Sequence, residues 1–422
     1  MHKEKRMKST IDELIRKTEA QLAGRFAEID ENEEKRTREV LKAFRGHAVS
    51  YRHFAPTTGY GYDDIGRDTL EAVYAELFRT EAALMRPHIA SGTAALSLTL
   101  SGLTRPGEHI LSATGMPYDT LLGIIGVGPG TPPGSLKEMG ISFDSVELKE
   151  GKIDVAGVEA SIRENTTLVI AQRSRGYAWR RSLMPEDFEE LADMLRSRHP
   201  DITLMVDNCY GEFVCEDEPT CHGADICVGS LIKNPGGGIA PTGGYIVGPE
   251  KLVDRIAYRL TAPGLGRELG SYAGDYRPFY QGLFMAPHTV AQALKTAMLA
   301  AGIFEKLGMP VIPSSTEKRA DIIQAIRMET PERLVAFCQG IQSASPVDSM
   351  AVPEPWDMPG YDDPVVMAAG TFVAGASIEL SADGPMRPPY TAYMQGGLTY
   401  AHGRIAMAEA LERMIDNGAL TI

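Results

Sequence analysis

The chain lacks a long apolar run, an excess of positive charge and an abundance of cysteine. No uncharged apolar stretch in its 422 residues approaches the roughly 20 residues a membrane-spanning helix needs, so no membrane partner is expected. Lys and Arg number 42 against 56 Asp and Glu, a formal net charge of −14. That balance argues against nucleic acid or an acidic membrane surface as the main partner, although a small anionic ligand answers to local charge alone. The N-terminus is charged from His2 to Lys8 and has no apolar signal-peptide core, which points to the cytoplasm. Only five cysteines are present, as suits that compartment. Cys209, Cys215, Cys221 and Cys227 recur at even spacing, with His222 beside the third. Zinc-binding pairs sit closer, about two to four residues apart, and Cys227 falls in an apolar strand pattern. These cysteines read as small buried side chains, and no metal is expected.

What is present is ordinary for a soluble globular enzyme: 43% hydrophobic and 23% charged residues. The length suggests two domains. Residues 10–45 predict one or two helices, with Ile11, Leu14, Ile15, Leu22, Phe26 and Ile29 on one stripe, packing on the body or on a second subunit. From about 66 to 260, helix and strand patterns alternate. Helices are predicted at Thr69–Phe78, after Ser91-Gly92 and at Pro185–Arg196; strands near 109–113, 142–147, 168–172, 202–206, 225–229 and 243–247. That succession predicts an α/β domain with a doubly wound, mostly parallel sheet. Such sheets bind ligands beyond the carboxyl ends of their strands. Asp207 lies at one such end, and Gln172-Arg173-Ser174 follows another. A helix near 288–307 leads into a smaller α+β domain, with helices near 316–327, 331–344 and 400–416 and strands near 365–380; Pro353–Pro364 and Asp383–Pro389 read as loops. The predicted division is an arm and loop over 1–62, a large domain over 63–305 and a small one over 306–422.

Chemistry concentrates around one lysine. Lys233 stands in Gly229-Ser230-Leu231-Ile232-Lys233-Asn234-Pro235-Gly236-Gly237-Gly238, between a strand-like run and a triple glycine. Upstream, the apolar run Ile202–Val206 ends in Asp207. An acid at a strand end and a Ser-x-x-Lys turn opening into glycines are what a pyridoxal phosphate (PLP) site requires. The lysine holds the aldehyde as a Schiff base, and the aspartate keeps the pyridine nitrogen protonated. Alone, a lysine is usually a solvated charge and Asp207 an ordinary turn acid. Here Ile226-Cys227-Val228-Gly229 reads as buried, so the lysine needs a partner, and an apolar site lowers the amine's pKa for work as nucleophile and base. The cofactor's phosphate needs donors. Ala90-Ser91-Gly92-Thr93-Ala94-Ala95-Leu96 opens a helix whose first-turn N–H groups and dipole favour an anion, though a simple Ser cap would look the same. Ser230 adds a hydroxyl three residues before the lysine.

With these segments the chain resembles the Cys/Met-metabolism group of fold-type I PLP enzymes, which includes cystathionine β-lyase and methionine γ-lyase. It resembles most closely the branch named methionine γ-lyase-like or aluminium-resistance proteins. Gln172-Arg173-Ser174-Arg175-Gly176-Tyr177 and Gln395-Gly396-Gly397-Leu398-Thr399-Tyr400 carry that resemblance, which runs from about Phe44 to the end. It implies that Lys233 binds the cofactor covalently and that Asp207 partners the pyridine nitrogen. It also implies that Gly92, Thr93 and Ser230 hold the phosphate, that Tyr118 stacks on the ring, and that Tyr60 reaches the phosphate of a neighbouring subunit. The chain departs from the family in three places. Tyr60 is followed by Gly61-Tyr62 where relatives carry a Tyr-x-Arg pair, leaving Arg67 as the candidate cation. Ile232 stands where threonine is common. The arginine usual before the C-terminal Leu-Ser-like segment is absent before Leu398-Thr399, so Arg173 and Arg387 become candidates for the substrate carboxylate.

The resemblance implies a PLP-dependent carbon–sulfur lyase eliminating a thiol from a sulfur-containing amino acid, a small-molecule substrate, with Lys233, Asp207 and Tyr118 catalytic, in a homodimer or homotetramer with shared active sites. Two alternatives stand beside it: another PLP reaction, such as an aldolase or aminotransferase, and a non-catalytic PLP-binding protein of stress tolerance.

Overall fold

The computed structural model describes residues 2–128, 132–358 and 363–422. The chain opens in a single helix, α1 (His2–Gly46), followed by α2 (Ile65–Leu77), β1 (Ala82–Arg86), α3 (Gly92–Leu103), β2 (His109–Ser112), α4 (Asp119–Ile125) and β3 (Ser142–Ser145). Next come α5 (Val155–Ser161), β4 (Thr166–Gln172), α6 (Glu189–Arg198), β5 (Thr203–Asp207), β6 (Ile226–Ser230), β7 (Gly244–Gly248) and α7 (Glu250–Leu260). The long α8 (Arg277–Lys306) leads to β8 (Val311–Ile312), β9 (Gln324–Arg327), α9 (Pro331–Ser343), β10 (Val365–Ala368), β11 (Ser381–Pro385), β12 (Thr391–Gln395) and α10 (Tyr400–Asp416).

The first seven strands form one sheet in the order β1-β7-β6-β5-β4-β2-β3. Strands β2 to β6 run parallel to one another, and only β7 runs antiparallel, to both β6 and β1. Helices cover both faces, which is why β4, β5 and β6 read as continuous apolar runs rather than alternating ones. The last five strands form an antiparallel sheet in the order β10-β11-β12-β9-β8. Its core gathers Phe304, Ile326, Phe337, Met394 and Met407. Helix α1 straps the two halves: Ile11 and Ile15 join the small-sheet core, while Val40 and Ala43 join Leu70 and Tyr245 against the large sheet. Helix α8 contributes to both cores in the same way, through Leu283 and Val290 at one end and Phe304 at the other. Among the described residues, no helix is long and apolar enough to cross a membrane.

Three local expectations are corrected, and one strand is unforeseen. Of the strands expected near 365–380, only β10, ending at Ala368, is present. Residues 316–327 do not form a helix; the segment is loop until β9, which pairs with β12 and β8. Ile322 and Ile326 have helical spacing, but every residue from Ile322 to Ile326 is buried, and a strand covered on both faces satisfies that pattern equally well. Part of the expected loop 383–389 is strand, because β11 runs through Pro385. Strand β1 carries no sequence signal: Ala82, Ala83, Leu84 and Met85 are good helix formers, and pairing with β7 overrides that propensity. Part of the predicted loop Pro353–Pro364 falls on 359–362, outside the described residues.

Candidate active site

A cavity of about 800 Å³ opens beyond the carboxyl ends of β4, β5 and β6, closed on its other side by Asp383, Arg387, Tyr393 and Gln395 from the small sheet. Asp207, the last residue of β5, is buried there and its Oδ1 accepts the Cys209 N–H at 3.1 Å. Burial pushes its carboxyl above the usual aspartate range, against the pull of Lys233 and the Cys209 amide. Lys233 follows β6, one strand over, and its Nζ lies 3.8 Å from the centroid of the Tyr210 ring. The triple glycine after it is a packing requirement. A Cβ on Gly236 would sit 1.8 Å from the Leu231 carbonyl oxygen, and one on Gly237, at φ 55°, would strike Gly282 of α8 at 2.4 Å.

The lysine's protonation differs from the sequence expectation. Burial does pull the amine towards neutrality. Cys209, Tyr210, Asp207 and Tyr118 around it favour the charge and win, so the amine is held above the ordinary lysine range. The groups that the fold gathers around the amine, Cys209 and Tyr210 before Asp207, decide this, and periodicity cannot supply them.

Ser91 caps α3 with Oγ accepting the Ala94 N–H at 3.0 Å, which leaves the amides of Gly92 and Thr93 outside the helix's own bonding. A Cβ on Gly92 would lie 3.1 Å from Ser230 Cβ and 3.4 Å from Cys209 Sγ, so the bare backbone is what lets the helix end approach β6. Thr93 Oγ1 and the Tyr118 hydroxyl are 3.1 Å apart. Tyr118 caps α4 and its amide donates to Gln172 Oε1 at 3.2 Å. Burial, then the nearby Asp207, push its phenol upward, so it stays protonated. Lys233, Asp207, Tyr118, Gly92, Thr93 and Ser230 therefore share one cavity. The set fits PLP: an amine for the aldehyde, a carboxyl for the ring nitrogen, and a helix N-terminus with two hydroxyls for the phosphate.

Other expected residues lie elsewhere. Tyr60 is 70% exposed and does not line this chain's own cavity. Arg67 does not line this chain's own cavity; its buried guanidinium pins the loop through Gly61 O at 2.8 Å and pairs with Asp68 at 2.7 Å. Arg173 is corrected likewise. It is fully buried beneath the cavity and spent on Asn208 Oδ1 (2.7 Å), Leu183 O (3.1 Å) and Cys215 Sγ (3.2 Å). Arg387 borders the cavity, but its exposed head pairs with Asp363 at 2.9 Å. The evenly spaced cysteines are free, and the described residues hold no cluster of metal-ligand geometry.

Sequence reasoning missed Tyr210, Arg175 and Asp383. Tyr210 adopts φ 73°, held by Asn234 Nδ2 and the Ile322 amide donating to its carbonyl, and this aims the ring at Lys233. Asp383 keeps one buried oxygen without a partner, and burial pushes its carboxyl up to about 7. Its neighbour Tyr177, in the Gln172–Tyr177 segment, was the available signal. Behind the lysine, Glu212 is fully buried, accepts the Tyr245 hydroxyl at 2.8 Å, and is pushed up to about 8 by burial.

The profile of the methionine gamma-lyase family matches residues 11–415. The chain is 50% identical over 412 residues to the YnbB protein of Bacillus subtilis, covering 96% of this chain and 98% of the relative. A solved structure of a carbon-sulfur lyase involved in aluminum resistance from Clostridium novyi NT superposes with a TM-score of 0.93 at 47% identity, covering 97% of each chain. L-methionine gamma-lyase of Pseudomonas putida is 27% identical over 198 residues, 47% of this chain and 45% of that one.

Proposed function

The chain belongs to the methionine gamma-lyase family, and from that membership we propose that it is a PLP-dependent carbon–sulfur lyase eliminating a thiol from a sulfur-containing amino acid. The observation that carries this reading is the meeting of Lys233 and Asp207 at neighbouring strand ends, in one cavity with the α3 N-terminus. When bound, PLP supplies an electrophilic aldehyde and an electron sink.

The chain's own residues have defined tasks in this reading. The amides of Gly92 and Thr93, with the Thr93 and Ser230 hydroxyls, would hold the phosphate. Asp207 would hold a proton on the pyridine nitrogen; its burial makes that charge effective, because little water screens it. Lys233 would hold the cofactor's aldehyde and, as the neutral amine, would take the substrate's α-proton. The Tyr210 ring holds its Nζ at 3.8 Å from the ring centroid, which fixes where the amine stands in the cavity. Tyr118, kept a neutral phenol, would cover the ring and can donate a proton to the departing sulfur. Loss of the thiol and addition of water then leave a keto acid and ammonia.

Tyr60, exposed and outside its own cavity, supports a homodimer or homotetramer in which it completes the neighbour's phosphate site. A cytoplasmic location belongs to the same reading. The test is incubation with cystathionine, methionine and cysteine, assaying keto acid and thiol together. Release of neither from any of them sinks the lyase assignment.

A further inference from the structure

An amino-acid substrate brings a carboxylate that needs a cation. We propose that Arg175, in the segment after β4, is the residue that receives the substrate carboxylate. The inference rests on the reading of the cavity as an amino-acid site.

Three arginines border the cavity: Arg175, Arg180 and Arg387. Arg180 is engaged with backbone: Nη1 donates to Arg181 O at 2.9 Å, and Nη2 to Ser174 O at 2.6 Å and Gln172 O at 3.3 Å. It braces the turn that carries Arg175. Arg387 is exposed and paired with Asp363. Arg175 differs from both. It is 98% buried, so it is no surface charge. Only Nη1 has a partner, the Ile312 carbonyl at 2.5 Å, while Nε is buried with none. No carboxylate among the described residues forms an ion pair with it. A guanidinium held out of water with open N–H groups is suited to a planar carboxylate.

Its position agrees. Gly176, the next residue, takes φ 54°, and a Cβ there would stand 4.0 Å from Tyr118 Cβ and 3.2 Å from Gln172 Nε2. The backbone at Gly176, next to Arg175, therefore packs against Tyr118, the residue that would cover the cofactor ring. On the other side, Tyr177 contacts Tyr393 with ring centroids 5.0 Å apart, which ties the segment to the small sheet. The same contact closes the end of the cavity where Asp383 lies. This gives the Gln172–Tyr177 segment a task. Arg173 faces inward and anchors it, and Arg175 faces the substrate.

The test uses the PLP-loaded protein and the change in its visible absorption on binding L-alanine, which has no leaving group, and L-alaninamide, which has no carboxylate. Arg175→Gln should weaken alanine binding roughly 10- to 100-fold and leave alaninamide nearly unchanged. Arg175→Lys, which keeps the charge and guards against a folding defect, should weaken alanine selectively but less. Arg387→Gln should leave the preference for alanine intact. Equal losses for both probes in the Arg175 variants, or loss of the preference in Arg387→Gln, overturn the assignment. A wild type that responds to no amino acid removes the amino-acid reading and this inference with it. A wild type that binds alanine through Arg175 but releases no thiol from sulfur amino acids removes the lyase reading alone.

Discussion

Replacing Glu212 by glutamine should change how stability depends on pH. Glu212 lies behind Lys233, fully buried, with Oε1 accepting the Tyr245 hydroxyl and Oε2 buried without a partner. Burial, reinforced by the nearby Glu218, pushes its carboxyl from 4.5 up to about 8. The folded protein therefore keeps a proton that the unfolded chain releases above pH 4.5, and folding loses stability as pH rises from there to about 8. At ~1.4 kcal/mol per unit, one such group should remove about 3–4 kcal/mol between pH 5 and pH 8. Glu212→Gln keeps the shape and the Tyr245 contact and has nothing to titrate. The variant should match or fall slightly below wild type at pH 5, where its second amide N–H has no partner, and exceed it at pH 8. Urea unfolding at fixed protein and PLP concentrations, repeated across that range, reads the difference. Parallel wild-type and variant curves from pH 5 to 8 would show that Glu212 is already ionised in the folded state and refute the argument.

Borohydride reduction of the yellow holoprotein should fix the cofactor to Lys233, and Lys233→Ala should lose both the label and turnover; a label on another lysine overturns the site. Asp207→Asn should retain PLP yet slow exchange of the substrate α-proton with deuterium about a thousandfold, the equivalent of ~4 kcal/mol in the barrier. Near-wild-type exchange would remove Asp207 from its electrostatic role. Tyr60→Phe should weaken PLP retention by roughly 1.5–3 kcal/mol in an oligomer. A strictly monomeric protein with full PLP occupancy contradicts a site shared between subunits.

The parallel sheet was legible in the sequence because the middles of strands buried on both faces must be apolar, as Leu168–Ala171, Leu204–Val206 and Ile226–Val228 are. The pairing of Asp207 with Lys233 was legible for a related reason: a charge at the end of such a run needs a purpose. The glycines after Lys233 also announced themselves, since only a residue without Cβ fits where Gly236 meets Leu231 O. Elements held by partners were hidden. Strand β1 and the loop before β9 exist because of β7, β12 and buried side chains far away in the chain, which no local window contains. The arginines show the same limit. Arg173 and Arg175 stand two residues apart in one motif, yet one is consumed by Asn208, Leu183 and Cys215 while the other borders the cavity. Residue type specifies a guanidinium in both places. Which one keeps open donors depends on the surrounding carbonyls and acids, and the tertiary fold alone brings those together.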